Sequence, residues 1–142
     1  VQPTYQLSSL AETERLAAQL LQELPAHGAL LILSGPLGAG KTTLTQHLAK
    51  LLGSEAQVSS PSYTLIHEYP TPEGELIHMD AYRLGGADAL YEFGLEDYLS
   101  RARLVVIEWG EALLKDYPEA WQVVFTLDAT GRTAQVMTPE SY

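Results

Sequence analysis

The spacing of hydrophobic and polar positions changes several times along the chain, and each change marks an element. Tyr5-Gln6-Leu7 reads as a short strand. From Ser9 onward, Leu10, Leu16, Leu20, Leu21 and Leu24 recur at helical spacing, which predicts an amphipathic helix ending before Pro25, with Ser9 and Glu12 at capping-box distance. His27-Gly28 turns the chain into an apolar run of strand length, Leu30 to Leu33. Helical spacing returns at Leu44, Leu48, Leu51 and Leu52, with Gly53 as the predicted C-terminal cap. The polar stretch from Gln57 to Ser62 has no such period and is read as a loop. Tyr63 to Tyr69 alternates, Pro70 to Gly74 supplies turn chemistry, and Glu75 to Met79 returns, so a hairpin is predicted. Gly85-Gly86 breaks the chain before two short helical pieces, Ala87 to Phe93 and Leu95 to Leu99. Leu104-Val105-Val106-Ile107 is continuously apolar, the pattern of a strand covered on both faces. After a short helix through Leu113 and Leu114, Trp121 to Leu127 and Arg132 to Met137 flank Asp128-Ala129-Thr130-Gly131 as a second hairpin.

Strands alternating with helices predict an α/β fold, a three-layer sandwich around a largely parallel sheet with antiparallel edge hairpins. The 142 residues contain no repeat, low-complexity tract or linker, so the whole chain is read as one domain. In open sheets of this kind ligands lie beyond the carboxyl ends of the strands. That rule brings Gly35, Asp80 and Glu108 near one another if their three strands run parallel.

The junction between the first long strand and the second long helix carries the chemistry. Gly35-x-x-x-x-Gly40-Lys41-Thr42 follows the apolar run and opens the helical pattern, in the order that a phosphate-binding loop requires. Polyphosphate must meet several backbone N–H groups at once, so Gly35, Gly38 and Gly40 are where a side chain blocks the approach or the turn. The helix presents its free N–H groups and positive end, Lys41 reaches the β- and γ-phosphates, and the Thr42 hydroxyl can ligate Mg²⁺. Ala39 and Thr43 belong to the same nucleotide-contacting stretch. The fold class thus becomes P-loop NTPase-like, with ATP and Mg²⁺ as the expected cofactors. No Asn-Lys-x-Asp pattern for reading guanine occurs in the chain.

Such a loop needs a carboxylate for the metal and a group that orients water or an acceptor. Glu108 follows Val105-Val106-Ile107 directly, where the metal-binding acid belongs, although aspartate is commoner there. Asp80 ends the return strand and is read either as a base toward the nucleophile or as half of a local ion pair with Arg83. Glu111 is a weaker candidate, better suited to a charge at a helix start. His78 has no cysteine or paired histidine at ligand spacing, which favours a packing or hydrogen-bonding role over a metal. The loop Ser60-Pro61-Ser62-Tyr63 sits where nucleotide-dependent switches occur, and an inert loop is the competing reading. Tyr82 either stacks or packs, and Trp109 is either a lid on the core or part of a docking surface.

Composition narrows the partners. Eighteen acidic against eight basic residues, a formal charge of -10, repel a nucleic-acid backbone and point to protein partners instead of direct RNA binding. The absence of cysteine excludes a disulfide frame and a thiolate metal site. No apolar run reaches membrane-span length and no basic-then-apolar segment opens the chain, so a cytoplasmic protein is expected.

Taken in order, Gly35-x-x-Gly38-x-Gly40-Lys41-Thr42, Ser60-Pro61-Ser62-Tyr63, His78-x-Asp80-x-Tyr82-Arg83-Leu84 and Val105-Val106-Ile107-Glu108-Trp109 resemble the bacterial TsaE family. The resemblance runs from about Leu10 to Met137. Ser62 departs from the family's usual threonine but keeps a hydroxyl. Members are small P-loop ATPases required to form threonylcarbamoyladenosine on tRNA. The resemblance implies that Thr42 and Glu108 hold Mg²⁺ and that Asp80 and the loop 60–63 serve hydrolysis or its coupling, with Tyr82, Arg83 and Trp109 as further coupling candidates. It implies that Thr13 and Arg132 help hold the base. It also implies work on a complex of TsaB and TsaD, which transfers the threonylcarbamoyl group to adenosine 37, so that tRNA is met only through that complex. Two other readings compete: a small-molecule kinase, in which Asp80 deprotonates an acceptor bound by Arg83, although the five arginines Arg15, Arg83, Arg101, Arg103 and Arg132 form no arginine-rich lid segment, and a nucleotide switch with negligible turnover.

Overall fold

The continuous apolar runs lie in the middle of a sheet. In the computed structural model, which describes residues 4–36, 39–54, 66–129 and 131–139, β2 (Ala29–Ser34) and β5 (Leu104–Glu108) are buried at every position. They pair in parallel, with Ala29 opposite Leu104 and Leu33 opposite Glu108. β4 (Leu76–Asp80) runs parallel along the other side of β5, and β6 (Trp121–Asp128) runs parallel along the other side of β2. Antiparallel strands close both margins: β3 (Ile66–Tyr69) on β4, β7 (Gly131–Met137) on β6, and β1 (Thr4–Gln6) on β7. The order is β1-β7-β6-β2-β5-β4-β3. Both expected hairpins form, but β6, the first arm of the terminal one, belongs to the parallel centre.

Strand alternation divides the apolar side chains between two cores. Leu31, Leu33, Leu76, Leu104 and Val106 pack under α1 (Leu10–Glu23) and α2 (Lys41–Leu51). Leu30, Ile32, Ile77, Met79, Val105 and Ile107 face the opposite way, under α3 (Ala81–Leu84), α4 (Ala87–Glu92) and α5 (Leu95–Arg101). Helices thus cover both faces of the sheet. A fully buried Leu or Ile in such a layer contributes about 1.5–3 kcal/mol relative to exposure.

The start of α1 differs from the predicted capping box. Ser9 occupies the N-cap with extended backbone, but its hydroxyl makes no capping bond; Ser8 Oγ instead donates to Glu12 Oε1 at 2.5 Å. Leu10 is 69% exposed, and the buried stripe is Thr13, Leu16, Ala17 and Leu20. The predicted helix through Leu113 and Leu114 is a single 3₁₀ turn, Glu111–Leu113. Gly53, in left-handed backbone just after α2, donates its N–H to Lys50 O, as expected of a cap.

Candidate functional site

The last rungs of β4 and β5 break the apolar pattern. Asp80 lies opposite Glu108 in register, and Leu33 flanks Glu108 on its other side. By alternation His78, Asp80 and Glu108 share the face on which Leu76 and Val106 pack, the face covered by α1 and α2. All three are buried. His78 Nε2 lies 2.7 Å from Glu108 Oε2. Asp80 begins α3, its Oδ1 accepting the Arg83 backbone N–H at 3.2 Å, while Arg83 Nε stands 3.5 Å from Oδ2. The local ion pair that competed with a chemical role for Asp80 is therefore formed.

The glycine-rich loop leaves β2 beside this pair. Gly35 has φ +136°, and a Cβ there meets the Phe125 carbonyl oxygen at 2.6 Å, so this glycine lets the loop lie against β6. Gly40, φ +116°, is the left-handed N-cap of α2. The first turn of α2 contains no acid and begins with Lys41, so the lysine and the helix's positive end reinforce each other. Lys41 is only 4% exposed, and Nζ donates to Gly35 O at 2.6 Å. Burial pushes its pKa down, against the opposing pull of Glu108, Asp80 and Glu111.

The same ammonium lies 4.1 Å from the centroid of the Trp109 ring, a cation–π contact. Trp109 has φ +62°, a conformation that costs a non-glycine residue about 1–2 kcal/mol. Its indole is 42% exposed, so it is not a lid sealed into the core. Glu111 starts the 3₁₀ turn just beyond and accepts from Ser34 Oγ at 2.5 Å, and Ser34 Oγ in turn accepts from Gln122 Nε2 at 3.0 Å. This chain of bonds ties the segment after β5 to the end of β2. It went unread in the sequence, because Ser34 and Gln122 sit inside apolar strands and meet only through strand register.

Two openings lie near the loop, one lined in part by Gly40 and the other by Trp109. A pocket of about 220 Å³ is lined by Ser9, Thr13, Ala39, Gly40, Thr43 and Arg132, among others, so the two residues chosen at the ends of the chain do converge beside the loop. An open groove of about 480 Å³ is lined by Tyr82, Gly85, Gly86, Trp109, Glu111 and Ala112. Tyr82 is almost wholly exposed there, so it stacks on no core. Thr42 is half-buried in the first turn of α2. Gly38 and Ser60, Pro61, Ser62 and Tyr63 lie outside the described residues.

Chemically, Glu108, Asp80 and Glu111 lie within electrostatic reach of the enclosed Lys41 ammonium, and Thr42 follows it in the first turn of α2. Among the described residues no three His, Asp or Glu side chains converge as a metal cage. A carboxylate and a hydroxyl instead suit a hard cation that takes its remaining ligands from phosphate and water, the usual habit of Mg²⁺.

The sequence model of the family described as threonylcarbamoyl adenosine biosynthesis protein TsaE matches residues 7–136. The chain is 38% identical over 104 residues to the tRNA threonylcarbamoyladenosine biosynthesis protein TsaE of Haemophilus influenzae, covering 72% of this chain and 66% of that protein. It is 41% identical over 113 residues to the Streptomyces coelicolor protein of the same name, covering 78% and 73%. The crystal structure of Bacillus subtilis YdiB superposes with a TM-score of 0.72 at 28% identity, over 97% of this chain and 86% of that one. The chain belongs to the TsaE family.

Proposed function

We propose that the chain is a single-domain P-loop ATPase that binds ATP with Mg²⁺ and hydrolyses it to support or reset a TsaB–TsaD complex forming threonylcarbamoyladenosine at adenosine 37 of tRNA. The observation that carries the hydrolytic reading is the in-register pair Asp80 and Glu108, buried at the carboxyl ends of adjacent parallel strands beside Lys41. Lys41 trades its bond to Gly35 O for the β- and γ-phosphate oxygens. The N–H groups opening α2 and the loop from Gly35 through Gly38, Ala39 and Gly40 to Thr43 hold the remaining oxygens. Thr42 and Glu108 would hold the cation, which would neutralise charge on the phosphoryl oxygens. Asp80, kept in place by the Arg83 N–H and guanidinium, orients the attacking water and takes its proton. The pocket of Thr13 and Arg132 receives the base. Tyr82, Arg83, Trp109 and the loop 60–63 couple the nucleotide state to the partners.

Two of the arginines that a kinase would enlist, Arg101 and Arg103, are engaged away from the site, which favours hydrolysis over transfer to a small molecule. Arg103 is buried and donates to Pro25 O, and Arg101 is held by surface acids. Both flank the start of β5, opposite the end that carries Glu108. Among the described residues no helix is long and apolar enough to cross a membrane. The net charge of -10 favours contact with tRNA through protein partners.

The test is steady-state ATP hydrolysis by the purified chain, alone and with TsaB and TsaD. Stimulation by the partners that disappears in Lys41→Ala is expected. Binding of ATP without stimulation would leave a switch of negligible turnover, and absence of ATP binding would overturn the reading.

A further inference from the structure

We infer that His78 is a positioning residue for Glu108, holding one carboxylate oxygen so that the other is presented to the cation. The inference rests on the metal role proposed for Glu108.

Strand geometry makes the contact specific. In register His78 stands opposite Val106 and Asp80 opposite Glu108, so His78 reaches Glu108 diagonally, one step up the same face of the sheet. A carboxylate accepts, so Nε2 is the donor across the 2.7 Å contact. Among the described residues this is the hydrogen bond made to the Glu108 side chain, and it engages Oε2 alone. Glutamate has three side-chain torsions, and a tether on one oxygen removes most of that freedom before any ligand arrives.

The histidine is also costly to keep. It is 0% exposed, and among the described residues its Nδ1 has no hydrogen-bond partner. A buried polar atom left unpaired is destabilising, and a position that served only to pack takes an apolar side chain, as Leu76 does two residues earlier on the same face. The ring is therefore retained for its Nε2–H. Partners that orient a metal-binding side chain typically change metal affinity or activity by about 10–100-fold when removed, without touching the metal themselves.

The experiment titrates ATP binding calorimetrically, in EDTA and over a range of Mg²⁺ concentrations, for the wild type, His78→Gln, His78→Asn, His78→Leu and Glu108→Gln. Thermal denaturation of each variant accompanies the titrations. Gln retains an N–H donor of sufficient reach; Asn is one methylene shorter and Leu has no donor. The expected result is an unchanged ATP affinity in EDTA for the three His78 variants. The Mg²⁺ midpoint stays within about threefold of wild type in His78→Gln and rises by about tenfold or more in His78→Asn and His78→Leu. Should His78→Leu fail to fold, the Gln and Asn pair decides. A folded Asn variant with the wild-type midpoint overturns the inference, as does an equal loss of binding with and without Mg²⁺, which marks a structural role. A wild-type midpoint in Glu108→Gln overturns it too, while leaving ATP binding through Lys41 intact. A wild-type chain whose ATP binding ignores Mg²⁺ overturns both this inference and the metal role of Glu108.

Discussion

Two clusters of acidic side chains in this molecule have opposite arrangements. Around Arg101, at the surface, Glu68, Glu75 and Asp97 gather about one guanidinium, which bonds Glu75 and Asp97 and stacks on the Tyr98 ring. All of these side chains keep substantial contact with water. At the carboxyl ends of β4 and β5, Asp80 and Glu108 are buried, and the nearby ammonium of Lys41 is spent on a carbonyl and an indole instead of on either acid. Surface charges pair at little cost and for little gain. Buried charges are expensive unless paired; Asp80 is met by Arg83 and Glu108 by His78, and in the proposed reading a bound cation completes the pairing.

The sharpest way to break this contrast is Lys41→Ala. In the proposed reading, loss of the ammonium removes the charged anchor of the polyphosphate, and ATP affinity is expected to fall by about 100-fold or more, measured by calorimetry. Retention of wild-type affinity would mean that the buried cluster is not organised around phosphate. Asp80→Asn is the next step. The amide oxygen still accepts the Arg83 N–H, so α3 keeps its cap and ATP binding changes little, while turnover with TsaB and TsaD present falls by about 10²–10⁴-fold. A parallel loss of binding and melting temperature would assign Asp80 to structure, through its ion pair with Arg83.

Trp109 offers a smaller but direct readout of the same site. In the proposed reading ATP draws the Lys41 ammonium from above the indole, which changes the ring's electrostatic surroundings, and ATP is expected to shift the intrinsic fluorescence. The chain has two tryptophans, and the signal is expected to vanish in Trp109→Phe while Trp121 remains. A shift that survives that substitution would place the change elsewhere.

The parts of this arrangement that were legible in the sequence are those encoded locally. β2 and β5 announce themselves because a strand covered on both faces is apolar at every position, and Asp80 and Glu108 stand out as acids ending such strands. The 3.6-residue period found α1 but not its first turn, where Ser8 instead of Ser9 bonds Glu12 and Leu10 points to water. The four residues of α3 are too few to show any period. What was not legible depends on register and long-range approach. The His78–Glu108 bond spans 30 residues and needs the diagonal between two parallel strands. Lys41 over Trp109 further requires a left-handed backbone at a tryptophan, which no propensity favours.

Arg101→Ala carries the smallest expected effect and tests the other half of the contrast. The guanidinium bridges the end of α5 to Glu68 on β3 and to Glu75 just before β4, so it could have been read as a clasp across the sheet edge. Its partners are solvated, however, and exposed ion pairs lose in side-chain entropy and desolvation most of what they gain in attraction. The melting temperature is expected to fall by no more than about 3 °C at low ionic strength, and the difference should shrink toward zero near 1 M salt, where screening acts over about 3 Å. ATP binding and its Mg²⁺ dependence should be unchanged, because Arg101 flanks the opposite end of β5 from Glu108. A salt-insensitive loss of many degrees would show that the surface cluster is a structural element in its own right, and the distinction between solvated and buried acids would no longer separate scaffold from site.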